Sequence, residues 1–257
     1  MNSLKGKTAL ITGVSRRNGI GYGIANKLAS MGANLFLQSY TPYDKMMSLK
    51  LEKNEMELII KSLSGYGTII EHMETDFMNP ESYSKVMKNG LNRFGHIDFL
   101  ILNHTYDTLK SLDQLTVEEI DKHLIINVRA SLMLIKEFVE QYSGNSGGRI
   151  ILLTSGQHLG PMTDLAYVAS KGALHQLTLS LSDFLIEKGI TVNSVNPGPT
   201  KTYIPSEAIN KAVLERMPRG RWGEPDDAAR LIAWLISDEA GWVTGQVIDS
   251  EGGFRRG

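Results

Sequence analysis

The 257-residue chain contains no cysteine, which removes disulfides, thiolate metal centres and cysteine nucleophiles from consideration. Neither sign of charge is in excess: 27 basic residues meet 28 acidic ones, for a formal net charge of −1. Charge so balanced and scattered leaves no electrostatic footprint for nucleic acid. Long apolar runs are missing too, and no stretch approaches the length of a membrane span. The first apolar run breaks at Gly13, too early for the core of a signal peptide. Proline is sparse, and four of the eight prolines (Pro197, Pro199, Pro205 and Pro218) fall in one segment. These absences predict a cytoplasmic protein with neither nucleic-acid nor membrane partners, and no metal site is expected.

What the chain does have is an apolar fraction of 42%, enough for a large core. Short runs rich in Val, Ile and Leu predict strands at 8–12, 34–38, 68–73, 97–103, 149–155, 190–195 and 246–250. Segments of helical period lie between them, at about 20–31, 50–64, 80–93, 116–142, 165–187 and 225–237. Near-continuous apolar strands alternating with helices predict a parallel sheet covered on both faces. Right-handed crossovers then favour one doubly wound α/β domain with a seven-stranded parallel sheet. The "NSGG" at 145–148 reads as a turn within it. The proline-rich stretch at about 198–221 interrupts the rhythm and is expected to form a lid beside the ligand crevice, with Tyr203, Ile204 and Met217 as pocket-wall candidates.

The glycines of "KTALITGVSRRNGIGYGIANKL" follow the first strand and open the first helix. A helix N-terminus points unpaired N–H groups and a partial positive charge at such a turn, which suits a phosphate if no side chain intervenes. Gly13 lets the chain leave the strand, Gly19 permits close approach, and Gly21 lets the helix pack on the sheet. The stretch therefore predicts a pyrophosphate site.

Further along, Tyr167 and Lys171 in "YVASK" stand four residues apart on one helix face. A free phenol, with a pKa near ~10, exchanges protons poorly at neutral pH. A neighbouring cation is expected to lower it by about 1–3 units. Tyr167 is the candidate general acid/base and Lys171 its tuning partner.

The ordered set "TG-x5-GIG", "METDF", Asn103 of "LNHT", "IINVRA", "LTSGQ", "YVASK", "NPGPTKT" and "TGQVIDSEGG" resembles the short-chain dehydrogenase/reductase family over nearly the whole chain. The resemblance implies a Rossmann-type fold and hydride transfer between a nicotinamide cofactor and a carbonyl or secondary alcohol. The implied catalytic set is Asn127, Ser155, Tyr167 and Lys171. Ser155 would donate to the carbonyl oxygen, Asn127 would hold a proton-relay water, and Lys171 would also hold the ribose.

The implied cofactor contacts are Gly13, Ser15, Arg16, Arg17, Gly19, Ile20, Gly21, Ser39, Asp76, Phe77, Asn103, Tyr167, Lys171, Pro197, Gly198, Thr200 and Thr202. Asp76 and the Phe77 backbone would meet the adenine. Thr200 would border the carboxamide, and Thr202 would meet the pyrophosphate. Ser39 aligns with the ribose-reading tip of the second strand, where users of NAD(H) keep an acid. With no acid there, and Arg16 and Arg17 in the glycine turn, NADP(H) is expected over NAD(H).

Three departures stand out. The glycine turn carries two extra residues, and the interval from Ser155 to Tyr167 is one shorter than usual, a spacing that Thr154 would restore. Only Asn103 survives of the family's "NNAG", and His104 is expected to face solvent. The general look is that of 3-oxoacyl-[acyl-carrier-protein] reductases and glucose-dehydrogenase-like enzymes, which implies a small-molecule or acyl-thioester substrate. The alternatives are a catalytically idle nucleotide-binding sensor or scaffold, and an enoyl reductase. The family resemblance also implies a homotetramer or homodimer built on the helices at about 116–142 and 165–187.

Overall fold

In the computed structural model, which describes residues 3–49, 51–144 and 146–256, all seven predicted strands form. They are β1 (Thr8–Ile11), β2 (Asn34–Ser39), β3 (Ile70–Glu74), β4 (Phe99–Leu102), β5 (Gly148–Leu153), β6 (Ile190–Asn196) and β7 (Val247–Asp249). They make one parallel sheet in the order β3-β2-β1-β4-β5-β6-β7. The order reverses between β1 and β4, and a crevice opens there beyond the strands' carboxyl ends.

Alternation along each strand sends neighbouring side chains into two different cores. Ala9, Ile11, Leu35, Leu37, Ile101 and Ile151 pack with α1 (Ile20–Ser30), α3 (Glu55–Ser64) and α9 (Pro225–Leu235). Leu10, Phe36, Leu100, Leu102, Ile150 and Leu152 face the opposite layer. That layer comprises α4 (Ser82–Phe94), α6 (Ala130–Gln141) and α7 (Leu165–Ile186). Full burial of each Leu, Ile or Phe among these contributes roughly 1.5–3 kcal/mol. The short-side-chain stripe of α1 is needed for close packing: a Cβ on Gly23 would come within 2.7 Å of the Pro225 side chain at the start of α9.

Three elements depart from expectation. A short helix, α2 (Thr41–Met46), follows β2 and carries Pro42 in its first turn, where proline is tolerated. The long helix expected at 116–142 divides into α5 (Val117–His123), a π-helical stretch (Leu124–Arg129) and α6. The proline-rich segment contains α8 (Glu207–Glu215), capped by the Ser206 hydroxyl. Lys50, where a helix was expected to begin, and Asn145 of the "NSGG" turn lie outside the described residues.

Candidate active site

The crevice at the switch point has a volume of about 430 Å³. Its floor is the glycine turn. Asn103 Nδ2 donates to the carbonyls of Thr12 and Gly13 at 3.1 and 3.0 Å, and the Gly13 N–H donates to Gln38 Oε1 at 3.1 Å. Gln38 Nε2 in turn reaches the carbonyls of Ser39 and Thr75, so one amide ties the tips of β1, β2 and β3. Gly13 has φ +72°, and a Cβ there would stand 2.8 Å from the His104 Cα. A Cβ on Gly21 would stand 2.7 Å from the Gly13 carbonyl. Side chains are thus excluded where the α1 N-terminus faces the crevice, and a dinucleotide's pyrophosphate fits that cradle.

Among the predicted cofactor residues, Gly13, Ser15, Arg16, Gly19, Ile20, Gly21, Asp76, Phe77, Asn103, Tyr167, Lys171, Pro197 and Thr202 line the crevice. Four do not. Ser39 is fully buried and its hydroxyl pairs with His72 Nε2 on β3 at 2.8 Å, so Gln38 and Tyr40 present the tip of β2 instead. The pleat explains the correction, because side chains of successive residues leave opposite faces of a strand.

Arg17 is drawn away by Glu52 and Glu55, its backbone N–H donating to Glu55 Oε1 at 2.7 Å. Thr200 turns its hydroxyl onto the carbonyls of Pro197 and Gly198. Gly198 adopts φ +63° beside Glu251, where a Cβ would clash. Arg16 does face the crevice. Its Nε lies 2.8 Å from the buried Asp44, and its Nη1 donates to the Thr202 carbonyl at 2.7 Å. The guanidinium therefore bridges the glycine turn, α2 and the segment after β6.

The α7 face presents Tyr167 and Lys171 as the spacing requires. Asp164 caps the helix, its Oδ1 accepting the Tyr167 N–H at 3.2 Å. Lys171 is buried, its Nζ donating to the Leu153 carbonyl at 2.8 Å and lying 5.7 Å from the Tyr167 ring centroid. Burial lowers Lys171 to about 8. The expected lowering of the phenol is reversed here. Burial raises Tyr167, the charge of Asp107 raises it further, and the nearby Ser155 hydroxyl opposes both. Ser155 thus lies near the phenol despite the shortened interval, but it is Thr154, one residue earlier, that lines the crevice.

Asn127 sits fully buried inside the π-helical stretch. Its Oδ1 accepts the Tyr106 N–H at 2.7 Å, and its Nδ2 donates to the Tyr106 carbonyl and Ser170 Oγ, each at 2.9 Å. Both amide donors are thus occupied by protein, and Asn127 positions the loop after β4 rather than holding a water with them.

His104 does not face solvent. It is buried between the Thr12 hydroxyl at 2.7 Å and the Ile126 carbonyl at 3.0 Å, with Phe77 edge-on at 4.7 Å. The Ile126 carbonyl must receive the Nε2 proton, leaving Nδ1 to accept from Thr12. Burial, with the Lys171 charge, lowers His104 to about 3, so it is neutral at ordinary pH.

Asp107, overlooked in the sequence, is pushed up from the usual carboxylate range by burial and by Asp164. Its signal was only a charged residue following the "LNHT" departure. Tyr203 and Ile204 are exposed and Met217 is buried, and none of the three lines the crevice.

A switch-point crevice floored by a side-chain-free glycine turn and walled by a Tyr/Lys pair defines a dinucleotide-dependent oxidoreductase. The chain belongs to the short-chain dehydrogenase/reductase family. A family profile described as "Enoyl-(Acyl carrier protein) reductase" matches residues 13–255. An uncharacterized oxidoreductase of Bacillus subtilis, YjdA, is 38% identical over 260 residues, spanning 100% of both chains. A short-chain dehydrogenase from Burkholderia cenocepacia, solved in complex with NADP, superposes with a TM-score of 0.87 at 30% identity, covering 98% of this chain and 99% of that one. The landomycin C-6 ketoreductase LanV, solved with NADP and rabelomycin, gives a TM-score of 0.84 at 30% identity, covering 98% and 97%. The protein is an NAD(P)-dependent oxidoreductase of this family.

Proposed function

We propose that the enzyme is an NADP(H)-dependent carbonyl reductase acting, in reverse, as a secondary-alcohol dehydrogenase. The observation that carries this reading is that Tyr167 and Lys171 line the crevice together, with Ser155 close enough to the phenol to act on it. The nicotinamide, when bound, supplies the hydride to a carbonyl carbon or accepts it back. Ser155 donates a hydrogen bond to the substrate oxygen as negative charge builds there. Tyr167 gives its phenolic proton to that oxygen, and the product is an alcohol. Lys171, held by the Leu153 carbonyl, offsets the phenolate left behind and contacts the ribose. Asn127 keeps the loop after β4 in register beneath them.

NADP(H) is favoured because the tip of β2 offers Gln38 and Tyr40 rather than an acid, and because Arg16 is the arginine that lines the crevice. The NADP complexes of the Burkholderia dehydrogenase and LanV support the same reading. A 3-oxoacyl thioester or another small ketone is the substrate class, the protein is cytoplasmic, and the segment at 198–221 closes over the substrate. Exposed apolar residues on α7 and the π-helical stretch favour a homotetramer or homodimer.

The test follows NADPH oxidation across a panel of ketones and 3-oxoacyl thioesters. Tyr167→Phe is expected to lower kcat/KM by roughly 10²–10⁴-fold while leaving NADPH binding intact. Equal turnover in the wild type and Tyr167→Phe would remove the phenol from the chemistry. With Arg16→Ala, the preference for NADPH over NADH is expected to shrink, with NADH kinetics unchanged.

A further inference from the structure

Behind Tyr167, and apart from the residues that line the crevice, three side chains from distant parts of the chain meet. Asp107 follows β4, His123 ends α5 and Asp164 precedes α7; one ligand atom of each lies within 4.8 Å of the others. His123 is fully buried, with Nδ1 2.7 Å from the Glu119 carbonyl one turn earlier. A carbonyl can only accept, so Nδ1 carries the proton and Nε2 presents a bare lone pair. That Nε2 is buried and has no hydrogen-bond partner among the described residues. Asp164 gives Oδ1 to the Tyr167 N–H, while its Oδ2 is likewise buried without a partner. Asp107 accepts the Leu109 N–H at 3.0 Å.

Each of the three is therefore oriented by a backbone group on its outer side, as protein ligands are around a metal. The Tyr106 ring, edge-on to His123 at 4.9 Å, fixes the imidazole plane. With both carboxyls ionised, the cluster contains acceptors and no donor. A single proton can join two of these atoms, whereas a divalent cation meets all three and balances both carboxylate charges.

We propose that Asp107, His123 and Asp164 form a divalent-cation site, with Zn²⁺ as the fitting ion. One neutral imidazole and two carboxylate oxygens suit Zn²⁺, whereas Mg²⁺ prefers oxygen ligands alone. The ion would clamp the loop after β4 and the end of α5 onto the N-terminus of the helix that carries Tyr167 and Lys171. The three positions are too far apart in sequence to show a ligand spacing, so only the fold brings them together.

The test uses untagged protein stripped of metal by a chelator. Zn²⁺ and Mg²⁺ binding is measured by calorimetry, and Co²⁺ serves as a spectroscopic stand-in. The expected result is one Zn²⁺ or Co²⁺ per chain, visible Co²⁺ ligand-field bands, a higher thermal midpoint with Zn²⁺, and no heat with Mg²⁺. His123→Gln and Asp107→Asn should each weaken Zn²⁺ binding by at least about tenfold. NADPH binding serves as the check that each variant is folded. The proposal is overturned if the wild type binds no stoichiometric Zn²⁺ or Co²⁺, or if folded variants bind as tightly as the wild type. A proton shared by Asp107 and Asp164 would then be the occupant. Should neither variant fold, the Co²⁺ spectrum of the wild type decides, since it reports the site's bands or their absence.

Discussion

His104 and Lys171 are both ionisable, both buried, and both shifted towards neutrality by the loss of water. For His104 the consequence is a stability that depends on acid. An unfolded chain takes up the proton near the ordinary histidine value of about 6.5, whereas folded His104 holds out to about 3. Between these values the unfolded state binds more protons, so stability is full above the upper value and is lost as pH falls towards the lower. The slope is at most about 1.4 kcal/mol per pH unit. His104→Gln removes this titration, so the gap in thermal midpoint between wild type and variant should narrow as the pH is lowered. A constant gap would mean that His104 is not held neutral.

Lys171 acts on rate. Its ammonium loses its proton as pH rises through about 8, so carbonyl reduction should decline above that pH in wild-type kcat/KM profiles, and Lys171→Met should abolish the inflection. At this scale the sequence was legible where a residue type is tied to a motif, as for Tyr167 and Asn103. It was not legible where a neighbour from another strand decides. Ser39 looked available until β3 supplied His72, and "LNHT" hid a histidine bridging Thr12 and Ile126.

At the level of elements, the central strands were the plainest to read because β1, β4 and β5 are largely apolar runs buried on both faces, whereas β3 and β7 at the sheet's edges are only partly buried. The helices were harder, since periodicity records which face is apolar and not how the backbone hydrogen bonds are shared. "IINVRA" lies in the helix-forming stretch expected at 116–142, yet the backbone widens into a π-helical stretch at Leu124–Arg129. Asn127 lies within that stretch and bonds both backbone groups of Tyr106. Asn127→Ala would strand a buried N–H and a buried carbonyl, at a cost of about 1–3 kcal/mol. Thermal unfolding should register it as a fall of about 2–4 °C per kcal/mol. An unchanged midpoint would show that the loop holds itself.

The segment around α8 was legible as an interruption but not as a helix. Its Trp222 Nε1 donates to Asn210 Oδ1 at 2.9 Å, which fastens α8 to the chain after it. Tyr203 and Ile204 stand exposed at its leading end, with Ile204 at 86%. If this segment closes over the crevice, amide exchange at 203–210 should slow on adding NADPH and a ketone, with little change on β1–β6. Exchange that is the same with and without ligands would make it a fixed surface feature.

For the whole molecule, the sheet and its two cores account for the apolar residues of the interior but not for those left outside. Leu124 on the π-helical stretch and Leu132 on α6 are exposed, as are Leu165, Leu179, Phe184 and Ile186 along α7. Leu179 and Phe184 are the most open of these, at 63% and 72%. Scattered apolar side chains are ordinary on a protein surface, but those along α6 and α7 are the ones that the proposed oligomer would have to cover. The other face of α7 carries Tyr167 and Lys171 and packs on the sheet, so a copy seated on its outside would stiffen the helix that carries the candidate proton donor. Adding charge where two such faces meet would bury unpaired carboxylates, which association cannot offset. Leu179→Asp combined with Phe184→Asp should therefore reduce the native mass from a multiple of 28.4 kDa to that of one chain, as measured by light scattering after size exclusion. Activity should fall with the mass while far-ultraviolet circular dichroism is preserved. A wild type that already elutes with the mass of one chain would leave these residues as plain surface.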